Sequence, residues 1–448
     1  MDVQLPALLF ANPERERRPV WLTNARLFDG TAAPVRDGAG VLIDDGRIAR
    51  VGASADAAPE GAVTIDLEGR TLMPGIVNGH LHAIGAVPDL GFGVQPVLPG
   101  TLGHALGAKL REFLQYGVTT VRDMGGYGDQ VMEVRQAMRY GAFRGARVLT
   151  CGLIISSTAP GDVIFDGMYR ATDGNDEVRK GVREQIRRGA DFIKVMATGA
   201  RSVELEAGIN RDEHDSAHGM AEQLTREELA TAAEEANRMG YAVVAHAEGL
   251  AGCEIAIDLN MRTIEHGFYL HHRPDLLERM AEKDIALVPT FSSQYVFAGR
   301  DLQIGTDGPK GSFSTPEVDA VADANIAAAE KTLDAARRAG TPIILGGDDL
   351  ELRRGGAWIE IQRMIHHGLP AHDTLVAATS AAAHALGMHD FGSIEAGKVA
   401  DIAVVEGDPM QEPELFGDRD RFWLVLQEGI PVAGTAIEVS LDDLGQRA

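Results

Sequence analysis

The chain has 448 residues, 45% of them hydrophobic, enough to bury a large core, and the length suits one long domain joined to a smaller one. A formal net charge of -24 sets up a field that repels phosphate and anionic lipid, which argues against nucleic-acid and membrane partners and leaves small molecules as the expected ligands. The two cysteines, Cys151 and Cys253, lie far apart in apolar runs, so neither a disulfide framework nor a thiolate zinc site is indicated.

In chain order, residues 5–11 are apolar but too short to span a bilayer, and the charged run that follows them does not fit a signal peptide, so a cytoplasmic protein is expected. Residues 20–27, 40–43, 48–52 and 63–67 read as short strands separated by Asp-Gly turns, forming a small antiparallel β unit. From about residue 71 apolar strands alternate with helical segments such as 225–239 and 318–339, the pattern of parallel βαβ units. Strands are predicted at 72–77, 118–123, 147–155, 192–197, 242–245, 262–265, 286–290 and 342–346. Eight repeats favour a closed (β/α)8 TIM barrel, an α/β fold. Strand texture returns at 402–406, 423–427 and 430–433, so the two chain ends are expected to pair into one β-sandwich beside the barrel. The predicted division is 1–71 and 388–448 for the sandwich and 72–387 for the barrel.

Catalytic groups of such barrels stand at the C-terminal ends of strands. Strand one ends in Asn78-Gly-His80-Leu-His82, and alternate residues of an extended segment point the same way, so both imidazoles can reach one ion. Strand four places Lys194 inside an apolar run, where an unpaired ammonium is costly. It needs either a carboxylate partner or a change of charge, and addition of carbon dioxide supplies the change by making an anionic carbamate that can bridge two cations. Strand five ends in His246-Ala-Glu248, strand six in Glu265-His266-Gly267 and strand eight in Asp348. Asp307 and Asp349 are alternatives to Asp348, the first in a Gly-rich loop and the second facing the opposite way. The other histidines, His214, His218, His271, His272, His366, His367, His372 and His389 among them, lie in helical or loop contexts and are expected to be solvated.

These residues, with Pro74-Gly75-Ile76, Gly117-Val-Thr-Thr-Val-Arg-Asp123, residues 188–199, Ile264-Glu-His-Gly267 and Gly392-Ser-Ile-Glu-Ala-Gly-Lys-Val-Ala-Asp401, resemble the amidohydrolase superfamily over nearly the whole chain. The last two motifs point to its imidazolonepropionase-like and prolidase-like subgroup. By this resemblance His80 and His82 hold one zinc, His246 and His266 a second, carbamylated Lys194 bridges them, and Asp348 binds the first metal and shuttles the proton. The implied enzyme is a binuclear hydrolase of an amide C–N bond, acting on an N-acyl amino acid, a dipeptide or a related amide, and a homo-oligomer. The chain departs from the pattern at Gly347, where relatives carry Thr or Ser, and at Glu248, where prolidase-like relatives carry His or an aromatic. Glu248 also gives weight to a one-zinc cyclic-amide hydrolase or deaminase, whereas a catalytically silent binding protein is disfavoured because no ligand is missing. The loops 156–173, 200–224 and 291–315 are expected to set specificity, with Tyr169 and Tyr295 beside Glu248 as substrate contacts.

Overall fold

The computed structural model describes residues 18–83, 99–159, 167–206, 222–298, 300, 315–348 and 356–437. Its strands, in chain order, are β1 (Val20–Leu27), β2 (Arg36–Asp44), β3 (Arg47–Ala53), β4 (Val63–Asp66), β5 (Thr71–Pro74), β6 (Ile76–Leu81), β7 (Val118–Asp123), β8 (Arg147–Thr150), β9 (Ile154–Ser156), β10 (Tyr169–Ala171), β11 (Ile193–Met196), β12 (Val243–Ala247), β13 (Thr263–His266), β14 (Ala286–Val288), β15 (Ile402–Val405), β16 (Phe422–Gln427) and β17 (Ile430–Ala433). The helices are α1 (Pro99–Gln115), α2 (Gln130–Arg139), α3 (Asn175–Arg188), α4 (Arg201–Glu206), α5 (Arg226–Arg238), α6 (Leu250–Asp258), α7 (Pro274–Glu282), α8 (Phe291–Phe297), α9 (Pro316–Ala339), α10 (Ala357–His366), α11 (Ala371–Ala377) and α12 (Ser380–Ala385). Among the described residues no helix is long and apolar enough to cross a membrane.

Both chain ends enter one sheet of order β17-β16-β15-β5-β1-β2-β3, with β4 also on β1. The expected antiparallel unit needs correction: β1 pairs antiparallel with β2 but parallel with both β4 and β5. The sheet therefore forks at β1 and folds over its own core, in which Leu22, Ile43, Leu72, Ile402 and Leu424 meet. Alternation does the rest. On β15, Ile402 and Val404 face that core while Ala403 and Val405 pack into the barrel's core, because successive strand side chains point to opposite faces.

The barrel is a parallel run β6-β7-β8 followed by β10-β9-β11-β12-β13-β14. Strand one is corrected in register. Residues 72–77 do not form one strand, because β5 belongs to the end sheet and the barrel strand starts after Gly75 at Ile76. Gly75 is the crossover: its N–H donates to Asp401 O, and a Cβ there would lie 2.4 Å from the Thr119 side chain. Strand three is broken between β8 and β9 at Gly152, which has φ 71°. Residues 342–348 close the barrel between β14 and β6 through a parallel bridge Leu287↔Ile343 and bonds from Gly79 N to Leu345 O (2.8 Å) and from Asp348 N to His80 O (2.9 Å).

The helices follow from local signals. Thr225 caps α5, with its hydroxyl accepting from Glu228 N while Glu228 Oε2 accepts from Thr225 N at 2.8 Å. Leu229, Ala232, Ala233 and Ala236 then recur at helical spacing and are buried against the barrel, where a leucine contributes roughly 2 kcal/mol. α9 starts with the Thr315 cap and Pro316 and stops at left-handed Gly340.

Candidate active site

The strands bring His80, His82, Lys194, His246, His266 and Asp348 to one pocket of about 780 Å³. Each arrives for a local reason. Alternation along β6 turns His80 and His82 to the same side, and the close approach of strand eight that this needs depends on Gly346, where a Cβ would sit 2.6 Å from that of His80. Parallel pairing sets Met196 beside His246 and His246 beside Glu265, so His266 lies one residue further on, and with its backbone at φ 75° its ring stands 4.4 Å from that of His246. Asp348 stands at φ 54° just past the last barrel segment.

Hydrogen bonds at the far side of each ring set which nitrogen faces the pocket. His80 Nδ1 donates to Glu265 Oε2 at 2.7 Å, and His82 Nδ1 donates to Gly125 O at 3.0 Å, which turns both Nε2 atoms toward the pocket. Both Nε2 atoms lie 3.2 Å from Asp348 Oδ1. His266 Nδ1 is 2.8 Å from Thr290 Oγ1. Among the described residues the buried Nε2 atoms of His80 and His246 have no hydrogen-bond partner. One ligand atom from each of His80, His266 and Asp348 falls within 4.8 Å of the others. Unpartnered nitrogens and a carboxylate oxygen converging in a buried site are a donor set that fits a divalent cation.

The charges are consistent with that arrangement. Burial lowers His246 to about 3 and His266 well below its usual value, and the neighbouring positive groups add to the effect, so both stay neutral. Burial would raise Asp348, but His80 and His82 outweigh it and hold the carboxylate ionised. Burial lowers Lys194 to about 8 against the pull of Glu265 and Asp348. Glu248 is pushed up to about 8 by burial, with Asp348 and Glu204 adding to it. Its Oε1 is 3.9 Å from His246 Nε2, and its Oε2 receives a long 3.5 Å contact from Arg201 N.

Behind the six stands a support that sequence reasoning missed. Glu265, fully buried, accepts from His80, from Arg122 Nη2 at 3.0 Å and from Thr263 Oγ1. Arg122 in turn donates to Gly79 O and Thr263 Oγ1 and lies over the Phe192 ring. Asp123 accepts from Ala83 N at 2.9 Å and Thr150 Oγ1 at 2.7 Å, tying down the chain just after His82. A buried acid directly before His266 was the available signal for Glu265, while its arginine partner lies 143 residues away.

The pocket wall is apolar where Ile154, Met168, Met196, Val203 and Phe297 line it and polar at Ser156, Tyr169, Gln223, Glu248 and Gln294. Glu248 and Tyr169, expected as substrate contacts, are thus among the residues lining the pocket. Tyr295 is not: it faces away from the pocket, with its hydroxyl 3.0 Å from His367 Nε2 and its ring under Arg363, because residues 291–297 form a helix rather than a loop. His367 is corrected with it, since it stacks on Phe291 instead of lying in solvent. His214, His218, Asp307 and Asp349 lie outside the described residues, as do residues 160–166, 207–221, 299 and 301–314 of the expected specificity loops. Cys151 and Cys253 are free and buried.

The amidohydrolase family model matches residues 71–426. Ochratoxinase from Aspergillus niger is 31% identical over 446 residues, covering 93% of this chain and 87% of that protein. The crystal structure of A. niger ochratoxinase superposes with a TM-score of 0.77 at 27% identity, covering 94% of this chain and 96% of that one. A Xaa-Pro dipeptidase crystallised with methionine in its active site gives a TM-score of 0.77 at 25% identity, covering 93% and 100%. The chain belongs to the amidohydrolase family and is a hydrolase of carbon–nitrogen bonds.

Proposed function

We propose that this chain is a binuclear metal-dependent amidohydrolase cleaving the C–N bond of an N-acyl amino acid or a dipeptide, Xaa-Pro dipeptides included. The reading rests chiefly on the ligand atoms of His80, His266 and Asp348 that come together in one pocket with buried Lys194 and His246. His80, His82 and Asp348 would hold one zinc ion and His246 and His266 the other. Lys194, with its amine near neutrality at about 8, would add carbon dioxide with loss of a proton and bridge the two as a carbamate. A domain division at Gly75, moved from residue 71 because β5 pairs in the end sheet, and at residue 387 belongs to the same proposal.

Two such ions, when bound, would supply an activated water and polarise the scissile carbonyl. Asp348, ionised and lining the pocket, accepts the proton of the attacking water and delivers it to the leaving nitrogen, acting first as base and then as acid. Glu265 and Gly125 keep the proton of His80 and His82 on Nδ1 throughout. The apolar wall excludes water and receives the substrate side chain, and Ser156, Tyr169, Gln223 and Gln294 orient its polar groups. The names of the dipeptidase and of ochratoxinase support a substrate of this size.

Glu248 favours a second reading, in which one zinc suffices and this buried, under-bonded carboxyl shuttles the proton of a cyclic-amide hydrolase or deaminase. A screen of N-acyl amino acids, dipeptides and cyclic amides with zinc-loaded protein tests the substrate class. Turnover confined to cyclic amides, lost in Glu248→Gln and kept in Lys194→Ala, would select the one-metal reading.

A further inference from the structure

The turn after β14 holds Thr290 at φ 50°, a left-handed conformation that a β-branched residue adopts only under constraint. The constraint is visible one residue on. Phe291 N and Ser292 N donate to the two carboxylate oxygens of Glu360 at 2.9 and 2.8 Å, and Ser292 Oγ donates to Oε2 at 2.6 Å. Glu360 sits on α10 with no exposure to solvent, some seventy residues from the turn it holds. Two features of the pocket hang on that turn. Thr290 Oγ1 lies 2.8 Å from His266 Nδ1, and α8, which begins at Phe291, carries Gln294 and Phe297 onto the pocket wall.

We propose that Glu360 is a positioning residue of the active centre: by gripping Phe291 and Ser292 it holds Thr290 in its strained turn, which fixes the ring of His266 and seats Gln294 and Phe297 against the substrate. It touches neither substrate nor metal. With Nδ1 of His266 donating to Thr290, Nε2 is the atom presented to the pocket, so a relaxed turn frees both the ring plane and the tautomer. A glutamine at 360 fits the space but turns an NH2 group toward one of the two backbone donors, so it cannot hold both. Metal binding at His266 rests on the function proposed above, whereas the effect on the ring itself does not.

The test is a double-mutant cycle of Glu360→Gln and Thr290→Val. Zinc affinity is measured by chelator competition, and the metal-free protein is examined by NMR with 15N-labelled histidine. Each single variant is expected to lose zinc affinity by about tenfold to a hundredfold, the range for removing a partner of a metal-ligating histidine. The double variant should be no worse than the weaker-binding single variant, and the His266 nitrogen signals should move in all three. An unchanged affinity and unchanged His266 signals in Glu360→Gln, with thermal stability alone reduced, overturn the proposal, as do losses that multiply in the double variant. If Glu360→Gln does not fold, Ser292→Ala removes only the 2.6 Å bond; it should shift the same signals by less, and no shift overturns the idea. Should wild-type protein bind no zinc, the function fails, while the NMR arm still decides the role of Glu360.

Discussion

Replacing Glu265 by Gln tests whether the barrel interior is organised around a charge that also orients a ligand. The change keeps the shape and removes the charge, leaving Arg122, 2% exposed, without its counter-ion. Breaking a buried pair from one side costs about 3–5 kcal/mol. The lower end applies here, because Arg122 retains Gly79 O, Thr263 Oγ1 and the Phe192 face 5.5 Å away. In urea denaturation of the metal-free protein, about 3 kcal/mol lowers the midpoint by roughly 1 M at a slope near the top of the usual range. The pH dependence has a definite sign. Burial acts to raise Glu265, but Arg122, Lys194 and His80 outweigh it and hold it far below the usual carboxylate range. A depressed carboxylate contributes stability above its unfolded pKa and loses it as pH falls through the folded value. The gap between wild type and Glu265→Gln is therefore full at neutral pH and closes in acid. Because His80 loses its acceptor, zinc affinity should also fall by about tenfold to a hundredfold. An unchanged midpoint together with unchanged zinc affinity would refute the reasoning.

Two more expectations follow from the same geometry. Asp348→Asn keeps a metal-contacting oxygen but cannot take a proton, so turnover should fall roughly a hundredfold to ten-thousandfold with zinc content nearly unchanged, measured by steady-state kinetics beside elemental analysis; equal loss of metal and activity would assign Asp348 to binding alone. The metal-free protein should lose stability as pH falls below about 6.5, since His246 is held near 3 and His266 well below its usual value while the unfolded chain takes up protons. Each imidazole contributes a slope that grows from about 0.7 kcal/mol per pH unit at pH 6.5 to about 1.4 near pH 5, read from denaturation midpoints, and a flat profile between pH 6.5 and 5 would contradict their burial as neutral rings.

Much of the site was legible because its chemistry sits at strand ends, where an apolar run stops and a ligand-type residue follows. β1 coincides with its expected span, since alternation and a flanking turn define it locally. Strand one failed for a non-local reason: residues on both sides of Gly75 are apolar and buried, and only the pairing of β5 with β15, over three hundred residues away, shows that the chain changes sheets there. Tyr295 was misassigned because α8 is seven residues long, too short for its periodicity to declare a helix, and its partners His367 and Arg363 come from another helix. Glu265 and Glu360 were missed for the same reason. Each acts on groups far along the chain, Arg122 in one case and the Thr290 turn in the other, and no local pattern marks such a pairing.

The count of metal ions tests the central claim most directly. Protein prepared with zinc and bicarbonate, freed of loosely bound metal and assayed for activity, should contain two ions per chain at full turnover, and Lys194→Ala should lose at least one of them with nearly all activity. One ion per chain at full activity, with Lys194→Ala still active, would contradict the bridged two-metal centre.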